Sequence, residues 1–454
     1  MKIRRLLSIL AAIAMVLSLM AVAGCGSKKG ANAPASNVPV LSEAEEEFFL
    51  DMPSELKGTT VKFATWIDHS TTDTADVLAG FETTTGMKYE WVNVPQGEYI
   101  TKLIGLIAAD QAPDVIVENG DFPNTLELLM PLEVETTGLD VTDPFWDQNL
   151  NKLFTFGGKT YLVNGANSTW NMGGGVTYYN RTILEENGLD TPGTLVEADN
   201  WNLASLKKLV GQCEARTGLE GPAISIDSTI FLAMYGAVEV SMDTETGKFV
   251  NGINSARAQE ALRWLLDLCE AHKIHLAVTS SHSSLANGTS ALQICGAYGL
   301  RNKPGWFFDM DIDDLGFAPL PKLKADDADY PYTSSSRAYG ICSGSKNPKG
   351  AAYFLRYFLN GDNYDYDKVF KNEEAKNLYI EGRSKMNYST ANFNTGVRMT
   401  LYPDEGGIED GVLGGIIWSD SAQFSVNLEK AKNKVDACVE QANKLVAAKI
   451  EADK

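Results

Sequence analysis

Short runs of β-forming residues alternate with segments of helical hydrophobic spacing from about residue 60 onward. The first part of this pattern predicts strands at residues 61–67, 89–94 and 114–117. Two helices are predicted between them, one from about residue 74 and one that places Tyr99, Leu103, Leu106 and Ile107 on a single face. Because strand, helix, strand, helix, strand is the order of a βαβαβ unit, we expect a parallel sheet here.

The same alternation resumes after about residue 157. It predicts strands at residues 176–180, 223–226, 290–296 and 315–320. Helices are predicted near residues 181–187, 202–216 and 258–269, and the spacing of the tail predicts a long closing helix over about 426–449. With 454 residues, the chain is long enough for two lobes that each have their own core.

Polar side chains follow two of the predicted strands. Residues 68–70 (Asp-His-Ser) come after the first strand, and Glu118, Asn119 and Asp121 come after the third. In open α/β sheets, ligands bind beyond the carboxyl ends of the strands, at the point where the strand order switches. If the strand order is the doubly wound one, these two loops are neighbours at a ligand site.

The first 25 residues have the pattern of a secretory signal. Three basic residues open the chain, and residues 6–23 are apolar apart from two serines. The run ends at Val22-Ala23-Gly24-Cys25, which resembles the lipobox of bacterial lipoproteins. This resemblance implies cleavage before Cys25 and a lipid on its thiol, so we expect the mature protein on the outer face of the cytoplasmic membrane. A single transmembrane anchor is the alternative, since the apolar run is about as long as a bilayer requires.

Residues 26–58 lack a pattern that would form a core. They begin with Gly, Ser and Lys, continue with Ala, Pro and Ser, and contain an acidic run from Glu43 to Glu47. Such composition is typical of a linker. We therefore predict a lipidated Cys25 followed by a flexible linker over residues 25–58.

The balance of charge is strongly acidic, with a formal net charge of −20. Removal of the signal's three basic residues leaves 36 basic against 59 acidic residues, which is a charge of about −23. Because a surface of this sign repels nucleic acid and anionic lipid headgroups, we expect neither as a partner.

The cysteines after Cys25 form no recognisable framework. They are widely spaced and odd in number: Cys213, Cys269, Cys295, Cys342 and Cys438. We expect these five cysteines to be buried free thiols. One disulfide among them is the alternative, because secreted proteins fold in oxidising compartments.

None of the catalytic or metal-binding motifs considered is complete in this sequence. Residues 309–313 begin like an EF-hand loop, but Asp314 and Leu320 stand where that loop needs Gly and Glu. His272 and His275 have no third ligand nearby in the sequence. Neither a nucleophile elbow nor a His-Glu-x-x-His zinc motif occurs. We therefore expect no enzyme activity, no metal and no cofactor.

Five aromatic residues stand in or beside turn-rich polar stretches: Trp66, Trp170, Tyr298, Trp306 and Trp418. Aromatic faces pack well on the apolar C–H faces of pyranose rings, and carboxylate, amide and guanidinium groups hydrogen-bond the hydroxyl groups. The set favours a sugar ligand, with ordinary packing as the alternative for each residue.

Seven short segments occur in a shared order and spacing over nearly all of residues 60–450: FATWID (63–68), APDVI (112–116), TYYNR (177–181), EENGL (185–189), GTSALQICGAY (288–298), GFAPLP (316–321) and SGSKNP (343–348). In this arrangement the chain resembles bacterial extracellular solute-binding proteins, the lipoprotein receptors of ABC importers. Within that family it resembles the sugar-binding branch of the maltodextrin-binding proteins.

The resemblance implies an α/β, two-lobed, periplasmic-binding-protein-like fold. Each lobe would be a mainly parallel sheet flanked by helices, with strands at a hinge and a ligand cleft between the lobes. The matching domain limits are a signal peptide at 1–24, the anchor and linker at 25–58, lobe 1 at 59–175 plus about 322–360, and lobe 2 at 176–321 plus about 361–454.

The resemblance also assigns eight residues to the ligand site: Asp68, Ser70, Glu118, Asp121, Asp227, Ser228, Tyr298 and Trp418. Tyr298 matches a position where sugar binders often place a stacking tryptophan, and Trp418 falls near a second such position. The sequence departs from the pattern at Glu118, where a stacking aromatic is common, and at Gly173, where a carboxylate is common. These departures leave the particular sugar open.

These features predict a lipid-anchored receptor that binds a mono- or oligosaccharide by lobe closure and delivers it to the membrane permease of an ABC transporter. A polyamine or peptide receptor of the same fold is one alternative, because Asp68, Glu118 and Asp121 hold an ammonium group as readily as hydroxyl groups. A glycoside-cleaving lipoprotein that uses Asp68 and Glu118 as its carboxylate pair is another. A role in passing ligand occupancy to a membrane sensor would use the same cleft.

Overall fold

The computed structural model describes residues 41–454 with the exception of 42, 73, 119, 169–173, 278–282, 302–309, 336, 391, 402–415 and 417–420. The strands are β1 (Thr60–Thr65), β2 (Lys88–Asn93), β3 (Val115–Val117), β4 (Thr155–Phe156), β5 (Lys159–Thr160), β6 (Gly175–Asn180), β7 (Ile224–Asp227), β8 (Val240–Asp243), β9 (Lys248–Asn251), β10 (His275–Ala277), β11 (Leu292–Gly296), β12 (Leu315–Pro319), β13 (Thr333–Ser335), β14 (Tyr339–Ile341) and β15 (Asn387–Ser389).

The α-helices of the described residues are α1 (Glu43–Leu50), α2 (Ala75–Thr85), α3 (Tyr99–Ala108), α4 (Val134–Thr137), α5 (Gln148–Leu153), α6 (Arg181–Glu186), α7 (Pro192–Glu197), α8 (Leu203–Arg216), α9 (Ser228–Met234), α10 (Ala256–Ala271), α11 (Ser283–Ala286), α12 (Pro348–Phe358), α13 (Tyr366–Val369), α14 (Glu373–Ser384), α15 (Asn392–Met399) and α16 (Phe424–Ala452). None of the described helices is both long and apolar enough to cross a bilayer.

The first sheet has the strand order β14-β3-β1-β2. Strand β1 lies between β2 and β3 and is parallel to both. The predicted parallel βαβαβ unit is therefore confirmed, and the loops that follow β1 and β3 are neighbours at one edge of the sheet. Strand β14 adds to this sheet from late in the chain and pairs antiparallel with β3.

The second sheet has the strand order β10-β7-β11-β6-β12. Strand β7 is parallel to β10 and β11, whereas β6 runs antiparallel to both of its neighbours. The predicted α/β class with two lobes is confirmed, and the second sheet is more mixed than the expected mainly parallel one. The carboxyl ends of β7 and β11 lie at one edge, followed directly by Ser228 and Ala297.

Two contacts join segments that are distant in sequence beside the first sheet. Val163 pairs with Tyr339 of β14. Four residues later, the Asn167 amide donates a hydrogen bond to the side chain of Asn360 at 3.3 Å. Asn360 lies at a limit predicted for the first lobe, and a hinge at these segments stays a prediction.

Cysteine placement agrees with the expectation of buried thiols in four of five cases. Cys269 is half-buried, and the other four are buried: Cys213, Cys295, Cys342 and Cys438. None of the five takes part in a disulfide.

The predicted flexible linker is wrong for residues 43–56. Helix α1 occupies residues 43–50, and Phe49, Met52 and Leu56 are buried in the core. Buried Glu45 accepts a hydrogen bond from Nη2 of Arg356 at 2.8 Å. The acidic run that resembled a linker is therefore a helix that an arginine of α12, far along the chain, holds in place.

Helix α16 ends against the β4–β5 hairpin of the first lobe. A Cβ at Gly157 would lie 2.8 Å from Cγ2 of Ile450. The Tyr161 hydroxyl donates a hydrogen bond to Oδ2 of Asp453 at 2.5 Å, and Lys159 donates to the Asp453 carbonyl at 3.0 Å. The end of the segment predicted for lobe 2 thus contacts residues predicted for lobe 1, and the lobe limits stay a prediction.

Candidate functional site

The ends of β1 and β3 are joined by the buried side chain of Tyr99, at the start of α3. Its hydroxyl donates a hydrogen bond to the carbonyl of Ala64 at 2.9 Å and accepts one from the amide of Val117 at 3.1 Å. Because Ala64 and Val117 lie near the carboxyl ends of adjacent strands, this one side chain fixes the spacing of the two loops predicted to hold ligand.

The loop after β1 presents a carboxylate in a fixed orientation. Oδ1 of Asp68 accepts hydrogen bonds from the backbone amide of Ser70 at 3.0 Å and from its hydroxyl at 2.6 Å. Asp68 is half-buried and Ser70 is exposed. Since both of these bonds use Oδ1, Oδ2 of Asp68 is the oxygen left to accept a hydrogen bond from a ligand.

An aromatic ring and a guanidinium group stand beside this carboxylate. Half-buried Trp66 makes an edge-on contact with Tyr99, with 5.7 Å between ring centroids. The guanidinium of Arg337 lies over the Trp66 ring, 5.7 Å from its centroid, at a distance typical of cation–π contacts. Sequence reasoning missed Arg337, because it reaches Trp66 only through the pairing of β14 with the first sheet.

The loop after β3 is stabilised by a buried carboxyl group. Glu118 is 2% exposed, and its Oε1 accepts hydrogen bonds from the amides of Gly120 at 2.6 Å and Phe122 at 3.2 Å. Its Oε2 is buried without a hydrogen-bond partner in the described structure. Burial raises the pKa of Glu118 to about 8, and the charge of Asp121 adds to this rise. As placed, Glu118 supports its own loop; a contact with ligand stays a prediction.

Asp121 is the more accessible carboxyl group of that loop. It is half-buried, and burial raises its pKa to about 6. A glycosidase pair requires two carboxyl groups that face a common opening. Because Glu118 exposes almost no surface, the pair of Asp68 and Glu118 is not favoured by this geometry.

In the second lobe, Asp227 ends β7 and caps helix α9. Its Oδ1 accepts a hydrogen bond from the amide of Ile230 at 3.1 Å. Asp227 is 6% exposed, and burial raises its pKa to about 7. Ser228, the first residue of α9, is buried as well. Asp227 is thus a buried carboxyl group whose pKa burial raises toward neutrality.

Tyr298 lies in the turn that follows β11. It is half-buried, and a Cβ at Gly296 would lie 2.2 Å from Cε1 of its ring, so the ring rests on the Gly296 backbone. Burial raises the pKa of Tyr298, with smaller contributions from the charges of Cys295 and Asp227. The structure therefore brings Asp227 and Tyr298 to the same edge of the second sheet.

The predicted residues fall into two groups and a remainder. Asp68, Ser70, Glu118 and Asp121 follow neighbouring strands of the first sheet, and Asp227, Ser228 and Tyr298 follow strands of the second. The remainder lies outside the described residues: Trp418, Gly173, Trp170, Trp306 and Cys25. The ligand-binding roles of all eight predicted site residues stay predictions.

A model of the family described as "Bacterial extracellular solute-binding protein" matches residues 65–364, more than half of the chain. The chain belongs to this family. A comparison of the sequence with curated proteins gives no significant match. The family resemblance predicted from the seven sequence segments is confirmed.

Solved structures of sugar receptors share the fold of this solute-binding protein. The GacH receptor of Streptomyces glaucescens, solved unliganded and with acarbose, has a TM-score of 0.55 at 18% identity over 87% of this chain and 100% of that one. The sugar-binding protein MalE of Xanthomonas citri has a TM-score of 0.58 at 15% identity over 84% and 98%. The galacto-N-biose-/lacto-N-biose I-binding protein of Bifidobacterium longum has a TM-score of 0.61 at 13% identity over 85% and 98%. At these identities the likeness establishes the two-lobed fold.

Proposed function

We propose that this protein captures a mono- or oligosaccharide between its two lobes and delivers it, unmodified, to the permease of an ABC transporter. The observation that carries the proposal is the pairing of carboxyl groups with an aromatic ring at the ligand edge of each sheet. Trp66 and Asp68 follow strands of one lobe, and Tyr298 and Asp227 those of the other. The acarbose and lacto-N-biose complexes of proteins with this fold support a sugar as the ligand.

Each residue of the proposed site has a definite task. The flat faces of Trp66 and Tyr298 pack on pyranose C–H groups, and Asp68 accepts hydrogen bonds from hydroxyl groups through Oδ2. Asp227, with a pKa of about 7, donates to a ring or hydroxyl oxygen when protonated and accepts when ionised. Since the residues divide between two lobes, a sugar makes all of its contacts only when the lobes close.

Closure then follows from differential affinity. A ligand that completes its contacts only in the closed form shifts the population toward that form. A shift from about 1:99 to 99:1 requires a difference of about 5.5 kcal/mol between the two states. A few hydrogen bonds to carboxylates at about 1.5–3 kcal/mol each, together with one stacked ring, supply that difference.

The anchor belongs to the same proposal. A lipid on Cys25 would hold the protein on the outer face of the cytoplasmic membrane, where an importer meets its substrate. Helix α1 begins at Glu43, and the chain between Cys25 and Glu43 spans at most about 60 Å. Because Arg356 holds α1 on the first lobe, the segment between Cys25 and Glu43 would join the protein at that lobe. Metabolic labelling with a radioactive fatty acid tests for the lipid on Cys25, and Cys25→Ser is the control that should stay unlabelled.

Thermal unfolding in the presence of a panel of mono- and oligosaccharides, polyamines and short peptides tests the proposed ligand class. A ligand that binds only the folded state raises the melting temperature by mass action. We expect a rise with a saccharide, and the saccharide to be recovered intact. A rise with polyamines or peptides alone would identify a receptor of another class, and release of reducing ends would identify a glycosidase.

Calorimetric titration of the identified sugar then tests the site. The double variant Tyr298→Ala, Trp418→Ala is expected to bind the sugar more than tenfold more weakly. Each substitution removes an aromatic ring that is proposed to stack on the sugar, at a cost of about 1 kcal/mol or more per ring. Tyr353→Ala serves as the control, because Tyr353 packs on Phe48 and Phe49 of α1. Unchanged affinity in the double variant would remove both residues from the site.

A further inference from the structure

Arg337 is a half-buried cation at the ligand edge of the first sheet. Its guanidinium lies over the Trp66 ring, 5.7 Å from the ring centroid, and Trp66 directly follows β1. An arginine that lies on an aromatic face can still donate through its remaining N–H groups, which match a carboxylate or a phosphate in pairs. Arg337 is therefore placed to meet an anionic group of a solute beside Trp66.

Arg383 has a corresponding place beside the second sheet. Together with Ala297, the residue before Tyr298, it lines a small cavity of about 40 Å³. Its Nη1 donates hydrogen bonds to the carbonyl of Asn167 and to the hydroxyl of Tyr366, each at 2.9 Å. Nε and Nη2 form no hydrogen bond with the described residues, so both can donate to a ligand. The cavity is too small for a sugar ring, but it has room for a small polar group, since one water molecule needs about 10–15 Å³.

Buried Arg301 connects the surroundings of these two arginines. It is 7% exposed. Burial raises the pKa of Tyr339 to about 12, and the charges of Arg337 and Arg301 oppose this rise. Burial also raises the pKa of Tyr366, where the charges of Arg383 and Arg301 oppose it. Because one guanidinium acts on both hydroxyl groups, Arg301, Arg337 and Arg383 form a single arginine cluster.

Two members of the arginine cluster have no ion-pair partner in the part of the chain that the structure describes. Arg337 and Arg383 form no ion pair with a carboxylate there, whereas carboxylates pair with Arg181, Arg257 and Arg356. The chain has 59 acidic against 39 basic residues, so carboxylates are abundant. A protein of this net charge repels anions at long range, and binding of one requires a local group of cations. Unpaired arginines in so acidic a chain favour an anionic ligand as the partner.

Two carboxylates lie in the neighbourhood of the arginine cluster. Exposed Asp362 acts by its charge on Tyr366, and Asp68 lies two residues after Trp66 in the loop that follows β1. Among the described residues, neither carboxylate forms an ion pair with an arginine of the cluster. They lower the positive potential there but leave the guanidinium donors to a ligand.

We propose that the captured solute carries an anionic group, a carboxylate or a phosphate, which the arginine cluster binds. With a saccharide as the solute, the preferred ligands are uronic acids, their oligosaccharides or sugar phosphates, rather than neutral sugars. The sugar part of this inference rests on the proposed function, and the anionic part rests on the arginines. Charge-assisted hydrogen bonds to guanidinium groups should make an acidic sugar bind at least about tenfold tighter than its neutral counterpart.

Matched neutral and acidic sugars test the inference by calorimetric titration. Galactose is compared with galacturonate, galabiose with digalacturonate, and glucose with glucuronate and glucose 6-phosphate. In wild type we expect the acidic member of a bound set to have an affinity at least about tenfold higher than the neutral one. The glucose set distinguishes a carboxylate from a phosphate as the preferred group.

Three variants that each remove one positive charge test the assigned residues. Arg337→Gln and Arg383→Gln change the arginine cluster, and Arg257→Gln is the control, since Arg257 lies on α10 and pairs with Asp327. We expect the acidic preference to fall at least about threefold in each cluster variant, to be lost in the double variant, and to remain in Arg257→Gln.

Arg337→Lys and Arg383→Lys replace the glutamine variants if those do not fold. Lysine keeps the charge but lacks the paired N–H donors of arginine, so the acidic preference should fall in these variants too. Equal affinity of acidic and neutral sugars in wild type would overturn the inference. A full acidic preference in the double variant, or in the lysine variants that replace it, would overturn it as well.

Failure of the proposed function gives a different result. If no saccharide binds, succinate and inorganic phosphate are titrated alone. Binding of either anion to wild type and Arg257→Gln but not to Arg337→Gln would support the arginine cluster as the anion site of a receptor for another acidic solute. Binding of neither anion would overturn the inference together with the sugar. Binding of neutral sugars alone would overturn the inference and leave the proposed function in place.

Discussion

Arg356 shows how one residue fixes a segment far from it in sequence. Arg356 is 8% exposed, and its guanidinium donates hydrogen bonds to Glu45 at 2.8 Å and to Asp143 at 2.6 Å. The rings of Phe48 and Phe145 each lie 4.4 Å from it. Two carboxylates and two aromatic rings thus surround the guanidinium, and their interactions with it offset the free-energy cost of removing the cation from water.

Arg356→Met should lower the free energy of unfolding by about 3–5 kcal/mol, because the buried carboxylate of Glu45 loses its partner. Denaturation by urea measures the change. The control is Lys346→Met, which removes an ion pair with Asp110 in which the two side chains are 65% and 82% exposed. We expect it to cost less than about 1 kcal/mol. Similar losses in both variants would contradict the assigned role of Arg356.

We expect Glu118 to make the stability of the folded protein depend on pH. Its pKa is about 8 in the folded state against an ordinary value of 4.5, so the folded chain holds a proton that the unfolded chain releases first. The free energy of unfolding therefore falls as pH rises from about 4.5 to 8. Glu118→Gln should flatten this part of the curve, most clearly between pH 6 and 8.

Asp121→Asn separates the two carboxyl groups of that loop. With a folded pKa of about 6, Asp121 itself affects stability mainly below pH 6. Its replacement should keep a slope between pH 6 and 8 but reduce it, because the charge of Asp121 contributes to the raised pKa of Glu118. Urea denaturation at a series of pH values gives both slopes. A wild-type slope above pH 6 in Glu118→Gln would show that Glu118 is ionised in the folded protein.

The site could be predicted from sequence only where residues follow recognisable strands. Asp68 comes directly after a β-rich run, so its place at the ligand edge of the sheet follows from local pattern. The burial of Glu118 could not be predicted, since it depends on amides of its own loop folding back on the carboxylate. Arg337 reaches Trp66 by a tertiary contact that no local pattern encodes.

At the scale of elements, the long helix α16 connects parts of the chain that are distant in sequence. Its Asn443 accepts a hydrogen bond from the amide of Phe249 in β9, and its Ile450 packs over Gly157 in the β4–β5 turn. The helix therefore bridges a hairpin from the middle of the chain and one from the first lobe.

Adjacent glycines in that turn allow the helix contact to be measured. Gly157 and Gly158 both have positive φ, at 61° and 80°, but only Gly157 has Ile450 within contact of an added Cβ. Gly158→Ala should cost about 1 kcal/mol from backbone strain alone. Gly157→Ala should cost about 1–2 kcal/mol more, because the methyl group displaces Ile450. Equal losses by urea denaturation would mean that α16 does not pack here.

Elements with their own periodicity were predictable and those held by distant partners were not. Helix α3 buries Tyr99 and Leu103, two of the residues that the spacing in the sequence places on one helical face. Helix α1 has three acidic residues in its first turn, so its pattern indicates a solvated linker until Arg356 is placed beside it. Strand β14 pairs antiparallel with β3 because the chain returns to the first sheet late in the sequence. The residues of β14 do not indicate which sheet the strand joins.

For the whole molecule, the two main sheets belong to the two lobes of the family's fold, and a hinge between the lobes is a prediction. We expect the lobes to rotate about the segments that cross between them, as in other proteins that close on a ligand. The side chains proposed to bind sugar lie on different lobes, so we expect ligand binding and lobe closure to be thermodynamically linked.

The radius of gyration in solution, measured by small-angle X-ray scattering with and without the saccharide that raises the melting temperature, tests this linkage most directly. The account predicts a smaller radius at saturation and a return to the starting value when the unmodified sugar is dialysed away. An unchanged radius at a sugar concentration that saturates calorimetric binding would contradict capture by closure of the two lobes.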